Sequence, residues 1–492
     1  MLYTILDCYT DEPAGLGVPP FLGTYPRYLA GAILDKGDKF LYLTIDDLRL
    51  FRKYSSKIPK KQDVTNKRIH NLTSNYPNVK RILEETDVLV VAAGMHTPGK
   101  YLAAEPASLR EITSLVKDLK CKKVLTGPAV IGTQQEGGKF AEKTSKEMFD
   151  YADDNFLGIN EYSKVKRYAV KGAALISQIP RAVMAEIETG KGCPRQPGCS
   201  FCLEPIKNRL EFREQKDIHK EIGALHSQGI RHFRLGKQSC FYSYKNNNPD
   251  EIKKLLEPIR QLEIKTLHID NVNPLLVLGE KGRKITELIV EHCTAGNIAA
   301  FGVESFDKKV IEDNNLNTTP EQAFEAVKII NEVGGERGEN GMQKFLPGIN
   351  IILGLKSETK QTLEENYSWL KKMLDAGLLI RRINIRQVAV FPGTPIYSDV
   401  GNKYLKKNRR HYWSFREKIR KSIDHEMLKN LVPNGTILKE ALAEMHQGKT
   451  TFLRQISSYP LIIGVNQRLE LGKFYNLEVT GHMLRSVTAK VR

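Results

Sequence analysis

The sequence predicts an α/β protein built from three parts. Residues 1–180 alternate strand and helix signals, and residues 181–400 repeat a strand–helix unit about six times. Residues 401–492 change to a basic stretch followed by short β-like segments. Regular alternation of strands and helices is typical of parallel sheets covered by helices. We therefore predict an N-terminal Rossmann-like α/β domain, a central partial (β/α)6 barrel and a small basic C-terminal α+β domain.

The first part, residues 1–180, contains a clear β-α-β unit. Residues 87–94 form an apolar run that ends in glycine, as expected of a buried parallel strand. A helix is predicted from about Ser108 to Leu119, and a second strand at 123–128. The Gly/Pro-rich residues 11–20 indicate a loop that either covers a ligand or is an ordinary ordered surface loop.

The second part, residues 181–400, is predicted to form the barrel. A capping box at Thr319–Gln322, with Pro320 in the first turn, predicts the start of a helix. In such barrels the chemistry lies at the carboxyl ends of the strands. The predicted strands are 183–188, 232–235, 266–270, 299–302, 349–353 and 383–390.

The third part, residues 401–492, carries most of the positive charge. The net charge of the chain is +18, and this part holds 18 basic and 7 acidic residues. Residues 403–413 mix lysine and arginine with tyrosine and tryptophan, which suits phosphate contacts and base stacking. The alternative is an ordinary solvated basic helix. We expect a nucleic-acid-binding domain here.

Composition excludes some classes of protein. Hydrophobic residues make up 41% of the 492 residues, and no apolar run approaches the roughly 18 residues of a membrane span. The N-terminus lacks the pattern of a secretion signal. Three of the seven cysteines cluster, which does not resemble a disulfide framework and favours a reducing cytoplasm.

The clustered cysteines, Cys193, Cys199 and Cys202, lie in a Gly/Pro-rich segment after the first barrel strand. Three thiolates on such a loop suit a cubane iron–sulfur cluster with one open iron. Zinc is an alternative, with His219 or His226 as a fourth ligand, although the spacing C-x5-C-x2-C is not a common zinc pattern. Unrelated buried thiols are the third possibility.

Five motifs follow one another in the order expected along a barrel: the cysteine loop and the segments 235–238, 300–305, 350–359 and 390–395. Together they make residues 181–400 similar to the radical S-adenosylmethionine (SAM) superfamily. The usual spacing there is C-x3-C-x2-C, so the first gap is enlarged in this chain. The resemblance implies a 4Fe–4S cluster on the three cysteines and SAM on its fourth iron. It also implies SAM contacts from Phe201, Gly236, Lys237, Gln238, Glu304, Ser305, Asn350, Gly354 and Val390.

That resemblance implies a redox reaction and its partners. The cluster delivers one electron to SAM, so an electron donor such as ferredoxin or flavodoxin is expected. The resulting 5′-deoxyadenosyl radical abstracts a hydrogen atom from a substrate. Which residues act on that substrate is left unknown.

The whole chain resembles an archaeal subgroup, the radical-SAM subunits of archaeosine synthase. That resemblance implies a tRNA substrate, a lysine-transferring partner subunit, and cleavage of a lysine C–N bond on a 7-deazaguanine base. Alternatives are a radical SAM methyltransferase or methylthiotransferase, and a non-catalytic RNA-binding scaffold with a structural metal. A D-x-H-x-x-G cobalamin motif is absent, and His96 lies in the nearest fragment. Cys8 and Cys121 are too few for the second cluster of a methylthiotransferase.

Overall fold

A computed structural model of the chain describes residues 1–9, 21–54, 70–94, 104–131 and 147–492. The predicted loop at 11–20 and His96 lie outside these residues. The strands are β1 Leu2–Asp7, β2 Phe21–Leu22, β3 Lys39–Thr44, β4 Val88–Ala92, β5 Lys122–Thr126, β6 Tyr151–Ala152, β7 Met184–Glu188, β8 Gly190–Lys191, β9 Glu211–Phe212, β10 His232–Gly236, β11 Thr266–Ile269, β12 Asn271–Val272, β13 Asn297–Glu304, β14 Phe345–Leu353, β15 Arg382–Gln387, β16 Ile437–Gln447, β17 Thr450–Gln455, β18 Ile462–Val465, β19 Phe474–His482 and β20 Ser486–Val491.

The helices are α1 Thr24–Asp35, α2 Ile45–Tyr54, α3 Val79–Glu85, α4 Leu109–Val116, α5 Tyr162–Lys171, α6 Glu204–Lys207, α7 Gln215–Ser227, α8 Pro249–Arg260, α9 Gly279–His292, α10 Lys308–Asp313, α11 Pro320–Gly334, α12 Lys360–Asp375, α13 Pro395–Asp399, α14 Lys403–Ile419 and α15 His425–Leu431. No helix in the described ranges is long and apolar enough to cross a lipid bilayer.

The described chain divides into two compact units. The first contains the described residues up to Ile187 together with Arg213–Arg231, and the second contains Glu188–Phe212 and His232–Arg492. Helix α7 therefore belongs to the first unit, although it lies within the predicted central part. The predicted domain boundaries after residues 180 and 400 remain predictions.

The first unit is built on a parallel sheet of five strands in the order β3-β1-β4-β5-β6. This is the 2-1-3-4-5 order of flavodoxin-like doubly wound folds. Apolar side chains of α2, α3 and α4 pack on one face of the sheet around Leu6, Leu89 and Val91, which are fully buried. The predicted Rossmann-like α/β architecture is confirmed.

A buried charge network ties α1 to α7 within the first unit. Glu221 of α7 accepts hydrogen bonds from Arg27 of α1 and from Arg213, the latter at 2.5 Å. All three side chains are buried, and Arg213 also donates to the hydroxyl of Tyr28 at 3.1 Å. Burial opposes ionisation of Glu221, but the two guanidinium groups outweigh it and lower the pKa of the carboxyl.

The second unit contains five of the six strands predicted for the barrel, whereas the first, β7, belongs to the first unit up to Ile187. β10 pairs with β11, and β12, β13, β14 and β15 form a four-stranded parallel sheet. Asp270 alone separates β11 from β12. Thr319 and Gln322 form the predicted capping box at the start of α11. The α/β class is confirmed.

The C-terminal strands close into a barrel of their own. Their order is β16-β17-β18-β20-β19, antiparallel except between β18 and β20. Its interior is apolar and includes Leu438, Leu453, Ile463 and Leu477, all fully buried. Such a closed Greek-key barrel of five strands is the architecture of OB-type modules.

Helix α14 precedes this barrel and packs against the β14–α12 connection. A Cβ atom on Gly354 would lie only 2.6 Å from Leu405 Cδ1, so the helix approaches closest where no side chain exists. Asn408 and Tyr412 of α14 donate hydrogen bonds to Glu358. The basic run at 403–413 is thus part of a helix, one face of which packs against the β14–α12 connection.

Candidate active site

The cysteine loop connects β8 to α6 and places Cys193, Cys199 and Cys202 at partly exposed positions. The amide of Cys202 donates to the carbonyl of Cys199 at 3.0 Å. The amide of Ser200 donates to the carbonyl of Asn314 at 2.9 Å, and Asn315 Nδ2 donates to the carbonyl of Gly198 at 2.9 Å. The loop is therefore ordered by polar contacts with the segment that follows α10.

Two glycines of the loop are required by space. A Cβ atom on Gly198 would lie 2.3 Å from Pro205 Cγ. Gly192 has a φ of +83°, and a Cβ there would lie 2.5 Å from the carbonyl oxygen of Arg209. Positive φ and close approach both favour glycine. The Gly/Pro-rich character of the segment is thus a packing requirement of the cysteine loop.

The electrostatics of the loop affect the thiols. Burial raises the pKa of Cys199 to about 11, although Arg195, whose Nη1 donates to Cys199 Sγ at 3.1 Å, opposes the rise. Burial likewise raises the pKa of Cys202 to about 12. Ligation requires thiolates, so a metal centre that binds here must displace these protons.

The alternative of a single metal ion receives no geometric support. Among the residues that the structure describes, no group of three His, Cys, Asp or Glu side chains lies close enough to hold one ion. The suggested zinc partners, His219 and His226, lie on α7 in the other unit. The described loop is not a preformed zinc site.

Two polar side chains at strand ends have buried atoms without hydrogen-bond partners. Gln238 follows β10, and neither its Nε2 nor its Oε1 has a hydrogen-bond partner among the described residues. Glu304 ends β13, and its Oε2 is likewise unpartnered. Buried polar atoms are almost always hydrogen-bonded in folded proteins. Both side chains therefore fit a polar ligand such as SAM at the carboxyl ends of the strands.

Glu304 is a carboxyl group in a low-polarity setting. Its φ is +64°, which a non-glycine residue seldom adopts and which marks functional sites when it occurs. Burial raises its pKa from 4.5 to about 8, and Arg386 opposes the rise. At neutral pH the group is mostly a neutral hydrogen-bond donor.

Replacing Glu304 with glutamine is expected to stabilise the cofactor-free protein at alkaline pH. Burial raises the folded-state pKa of Glu304 to about 8, so the folded state binds this proton more tightly than the unfolded state does. The free energy of unfolding of the wild-type protein is therefore highest below about pH 4.5, and this contribution is lost as pH rises through 8. Glutamine does not titrate. We expect the variant to gain about 2 kcal/mol at pH 8.5 relative to pH 5, a value reduced for partial exposure. Thermal unfolding at both pH values measures it; a pH-independent difference would contradict the assignment.

The other predicted SAM contacts have local partners. Ser305 Oγ accepts from the amide of Asp307 at 3.1 Å, and Asn350 Oδ1 accepts from Asn384 Nδ2 at 3.1 Å. The carbonyl of Gly236 accepts from the amide of Thr189 at 3.2 Å. Of the remaining predicted residues, Lys237 has a φ of +60°, Gly354 a φ of +91°, Val390 is buried and Phe201 is partly exposed. Their roles toward SAM stay predictions.

Sequence reasoning missed a polar cluster inside the barrel. Arg234 of β10 is fully buried and forms an ion pair with Asp270. Tyr459 donates to Asp270 Oδ1 at 3.2 Å. The guanidinium of Arg382, on β15, lies 4.1 Å from the centroid of the Tyr459 ring. Arginine inside a predicted strand was the available signal, since barrel strands otherwise carry branched apolar residues.

The comparison with protein families agrees with this geometry. The model described as the radical SAM superfamily matches residues 187–370. The chain contains a radical SAM domain. The match begins at the end of β7 and ends within α12, so it includes the cysteine loop, Gln238 and Glu304.

The relatives of this radical SAM protein are archaeal. It is 41% identical to the uncharacterized protein MJ0274 of Methanocaldococcus jannaschii, over 99% of this chain and 92% of that protein. It is 36% identical to an uncharacterized protein of Archaeoglobus fulgidus, over 99% and 90%. The chain belongs to one family with these proteins. It is also 25% identical to the putative methylthiotransferase MJ0865 of M. jannaschii, over 64% of this chain and 67% of that protein.

Solved structures show the same fold at low identity. The radical SAM methyltransferase TsrM from Kitasatospora setae has a TM-score of 0.52 and 13% identity, covering 80% of this chain and 75% of that one. The cobalamin-dependent radical SAM enzyme OxsB has a TM-score of 0.50 and 13% identity, covering 85% and 56%. At such identity these likenesses establish the fold alone.

Radical SAM enzymes use a 4Fe–4S cluster and SAM. In this chain Cys193, Cys199 and Cys202 would hold the cluster, and Gln238 and Glu304, whose buried polar atoms lack partners, would contact SAM. When bound, the two groups together supply a radical that abstracts a hydrogen atom from the substrate. The protein's own contribution is to order the cysteine loop and to keep Glu304 neutral.

Proposed function

We propose that this radical SAM enzyme modifies RNA. The observation that carries the proposal is the closed five-stranded barrel β16–β20, joined to the radical SAM domain by a basic helix. OB-type barrels are recurrent binders of single-stranded nucleic acids. An RNA base that reacts with a radical must first be unstacked and placed in an active site.

Helix α14 supplies a surface suited to this role. Its buried face contains Leu405, Tyr412 and Phe415. On the other side Trp413 is 75% exposed, which is unusual for tryptophan and leaves a ring free for base stacking. Exposed cations surround it along the helix: Lys403, Lys406, Lys407, Arg409, Arg410 and Arg416.

The finer proposal follows the subgroup resemblance. The RNA would be tRNA, the substrate a lysine adduct of 7-cyano-7-deazaguanine in the D-loop, and the product archaeosine after cleavage of the lysine C–N bond. A lysine-transferring synthase subunit and a ferredoxin or flavodoxin would be the partners, in the cytoplasm. The two relatives that match 99% of this chain come from archaea, as this subgroup does.

Nucleoside analysis tests the proposed function. The anaerobically prepared holoenzyme is incubated with SAM, a reductant and tRNA from an archaeal strain that lacks this gene. Mass spectrometry of the digested nucleosides is expected to show conversion of the lysine adduct to archaeosine. Consumption of SAM with no changed nucleoside would contradict RNA modification, and a different new nucleoside would contradict only the archaeosine assignment.

Neutralising α14 is expected to weaken tRNA binding and its salt dependence. Lys406, Lys407 and Arg409 are exposed and form no ion pair within the described chain. Replacing all three with glutamine should lower the slope of log Kd against log salt by about 2 to 3, if each contacts one phosphate. Trp413→Ala should weaken binding about tenfold through lost stacking.

A matched control removes the same charge elsewhere in the same unit. Lys253, Lys281 and Lys284 are exposed on α8 and α9, and their triple glutamine variant should leave the salt slope unchanged. Equal effects of the two triple variants would contradict a specific role for α14. Deleting residues 401–492 is a poorer test, because α14 packs against the β14–α12 connection.

Methyl or methylthio transfer is the second candidate. It is favoured by the 25% identity to a putative methylthiotransferase and by the flavodoxin-like strand order of the first unit. However, Cys8 is fully buried within the first unit's core, which does not suit a ligand of a second cluster. Cobalamin, or about eight irons instead of four per chain, in the purified protein would favour this candidate.

A further inference from the structure

One loop of the C-terminal barrel closes the radical SAM barrel at the end where its strands begin. Residues 456–461 connect β17 to β18. The carbonyl of Ile456 accepts from Thr266 Oγ1 at 3.0 Å, and Thr266 is the first residue of β11. The carbonyl of Tyr459 accepts from Arg381 Nη2 at 2.8 Å, just before β15. The cysteine loop and Glu304 lie at the opposite end of the strands.

The ring of Tyr459 lies between β10 and β15, in the interior, or lumen, of the radical SAM barrel. It contacts Arg234 of β10 at 5.8 Å and Arg382 of β15 at 4.1 Å, measured from each guanidinium carbon to the ring centroid. β10 and β15 belong to different sheets, and this one ring contacts an arginine of each. Tyr459 is therefore part of the floor of the lumen.

The floor carries an unbalanced positive charge. Asp270 neutralises Arg234, but in the described chain no acidic side chain forms an ion pair with Arg382. Burial lowers the pKa of Arg382 to about 10, so the group stays charged at neutral pH. Burial also raises the pKa of Tyr459, which keeps its hydroxyl protonated. A charge that protein surrounds and no acidic group pairs is costly unless an anion compensates it.

Arg382 also remains accessible. Its side chain is partly exposed although surrounding protein is deep enough to lower its pKa. Arg386 lies on the same face of β15, about 13 Å further toward the cluster end at the usual rise per residue. Arg382 is thus surrounded by protein, and part of its side chain remains accessible to a ligand.

We propose that the floor of the lumen binds a carboxylate group of the substrate through Arg382, with Tyr459 as one wall. A planar carboxylate matches the guanidinium fork, and its negative charge offsets the positive charge of Arg382, which has no acidic partner in the described chain. The proposal rests on the proposed function in one respect: a lysyl adduct carries such a carboxylate, at the end of a flexible chain that spans part of the lumen. Arg382 then acts as a specificity-determining residue that holds the substrate's far end while its reacting carbon faces the radical.

Binding of L-lysine and L-lysinamide to the anaerobic holoenzyme with SAM tests this proposal. The second probe replaces the carboxylate with a neutral amide, and both are measured at about pH 6, where the α-amino group of each is protonated. Calorimetry or saturation-transfer NMR is expected to show L-lysine binding about tenfold or more tightly, as befits a charge-assisted hydrogen-bonded pair. Inorganic phosphate is the third probe, and its failure to displace L-lysine is expected. Equal binding of both probes, absence of saturable L-lysine binding, or displacement by phosphate would each overturn the carboxylate assignment.

Variants of Arg382 test whether this residue causes the preference for L-lysine over L-lysinamide. Arg382→Gln should reduce the preference for L-lysine to about unity, and Arg382→Lys should restore part of it. Arg260→Gln, an exposed control at the end of α8, should keep the preference. Iron content and thermal unfolding report whether each variant is folded, and the wild-type comparison of the two probes needs no variant. A preference retained in Arg382→Gln would refute the role of this residue.

The two proposals can fail separately. A carboxylate preference that depends on Arg382, together with unchanged tRNA nucleosides, would support the pocket and contradict archaeosine formation. Formation of archaeosine with no carboxylate preference would support the enzyme's role and contradict the pocket.

Discussion

Replacing Cys199 with alanine is expected to abolish the iron–sulfur centre and SAM cleavage. Cys199 is one of three thiols on a loop that Gly198, Ser200 and Asn314 hold in place. Removing one of three ligands leaves the cluster with two. The anaerobically reconstituted variant should lose most of about four irons and four sulfides per chain. Release of 5′-deoxyadenosine with dithionite should fall to the level seen without protein.

A cysteine outside the loop provides the matched control. Cys121 is partly buried against the core of the first unit, and Cys121→Ala should keep iron, sulfide and SAM cleavage. Retention of a full cluster by Cys199→Ala, or zinc instead of iron in the wild-type protein, would contradict the assignment of the loop.

Replacing Glu221 with alanine is expected to destabilise the first unit by about 3–5 kcal/mol. The substitution leaves the guanidinium groups of Arg27 and Arg213 buried without their shared carboxylate. Breaking a buried ion pair by removing one partner costs more than the pair contributes, because the remaining charge is uncompensated. Differential scanning calorimetry should show an unfolding transition lowered by several degrees.

An exposed ion pair in the same unit gives the comparison. Glu84 and Lys80 lie 3.9 Å apart on α3, and both are more than half exposed. Glu84→Ala should change stability by less than about 1 kcal/mol. Similar losses for the two variants would show that the network around Glu221 is not the source of the effect.

The fold was accessible from the sequence where the signals are local. Each of the six predicted barrel strands overlaps an observed strand; the second, predicted at 232–235, is β10 His232–Gly236. The capping box at Thr319 is present because its two hydrogen bonds join residues three apart. The Gly/Pro-rich character of the cysteine loop could likewise be read from neighbouring residues. The contacts with Pro205 and Arg209 that require its glycines could not.

Long-range contacts left no such signal. Arg27 and Glu221 are 194 positions apart, and nothing in either segment indicates the other. Nothing in the sequence around Tyr459 indicates that it lies beside Asp270 and Arg382, because these contacts join the C-terminal barrel to the radical SAM domain. The basic part is predicted to start at residue 401 because the positive charge rises there. The structure shows in addition that Leu405 of α14 packs closely against Gly354, a contact that charge does not indicate.

The Tyr459 loop has a consequence for how this protein can vary. A C-terminal domain that contributes nothing to the catalytic domain can be exchanged for another without harm to the chemistry. Here the C-terminal barrel places Tyr459 against Asp270 and Arg382 of the radical SAM domain. A chimera that joins a different C-terminal domain to this radical SAM domain would therefore lack the loop 456–461 at the end where the strands begin. We expect water to enter there, although a radical reaction needs to be shielded from it.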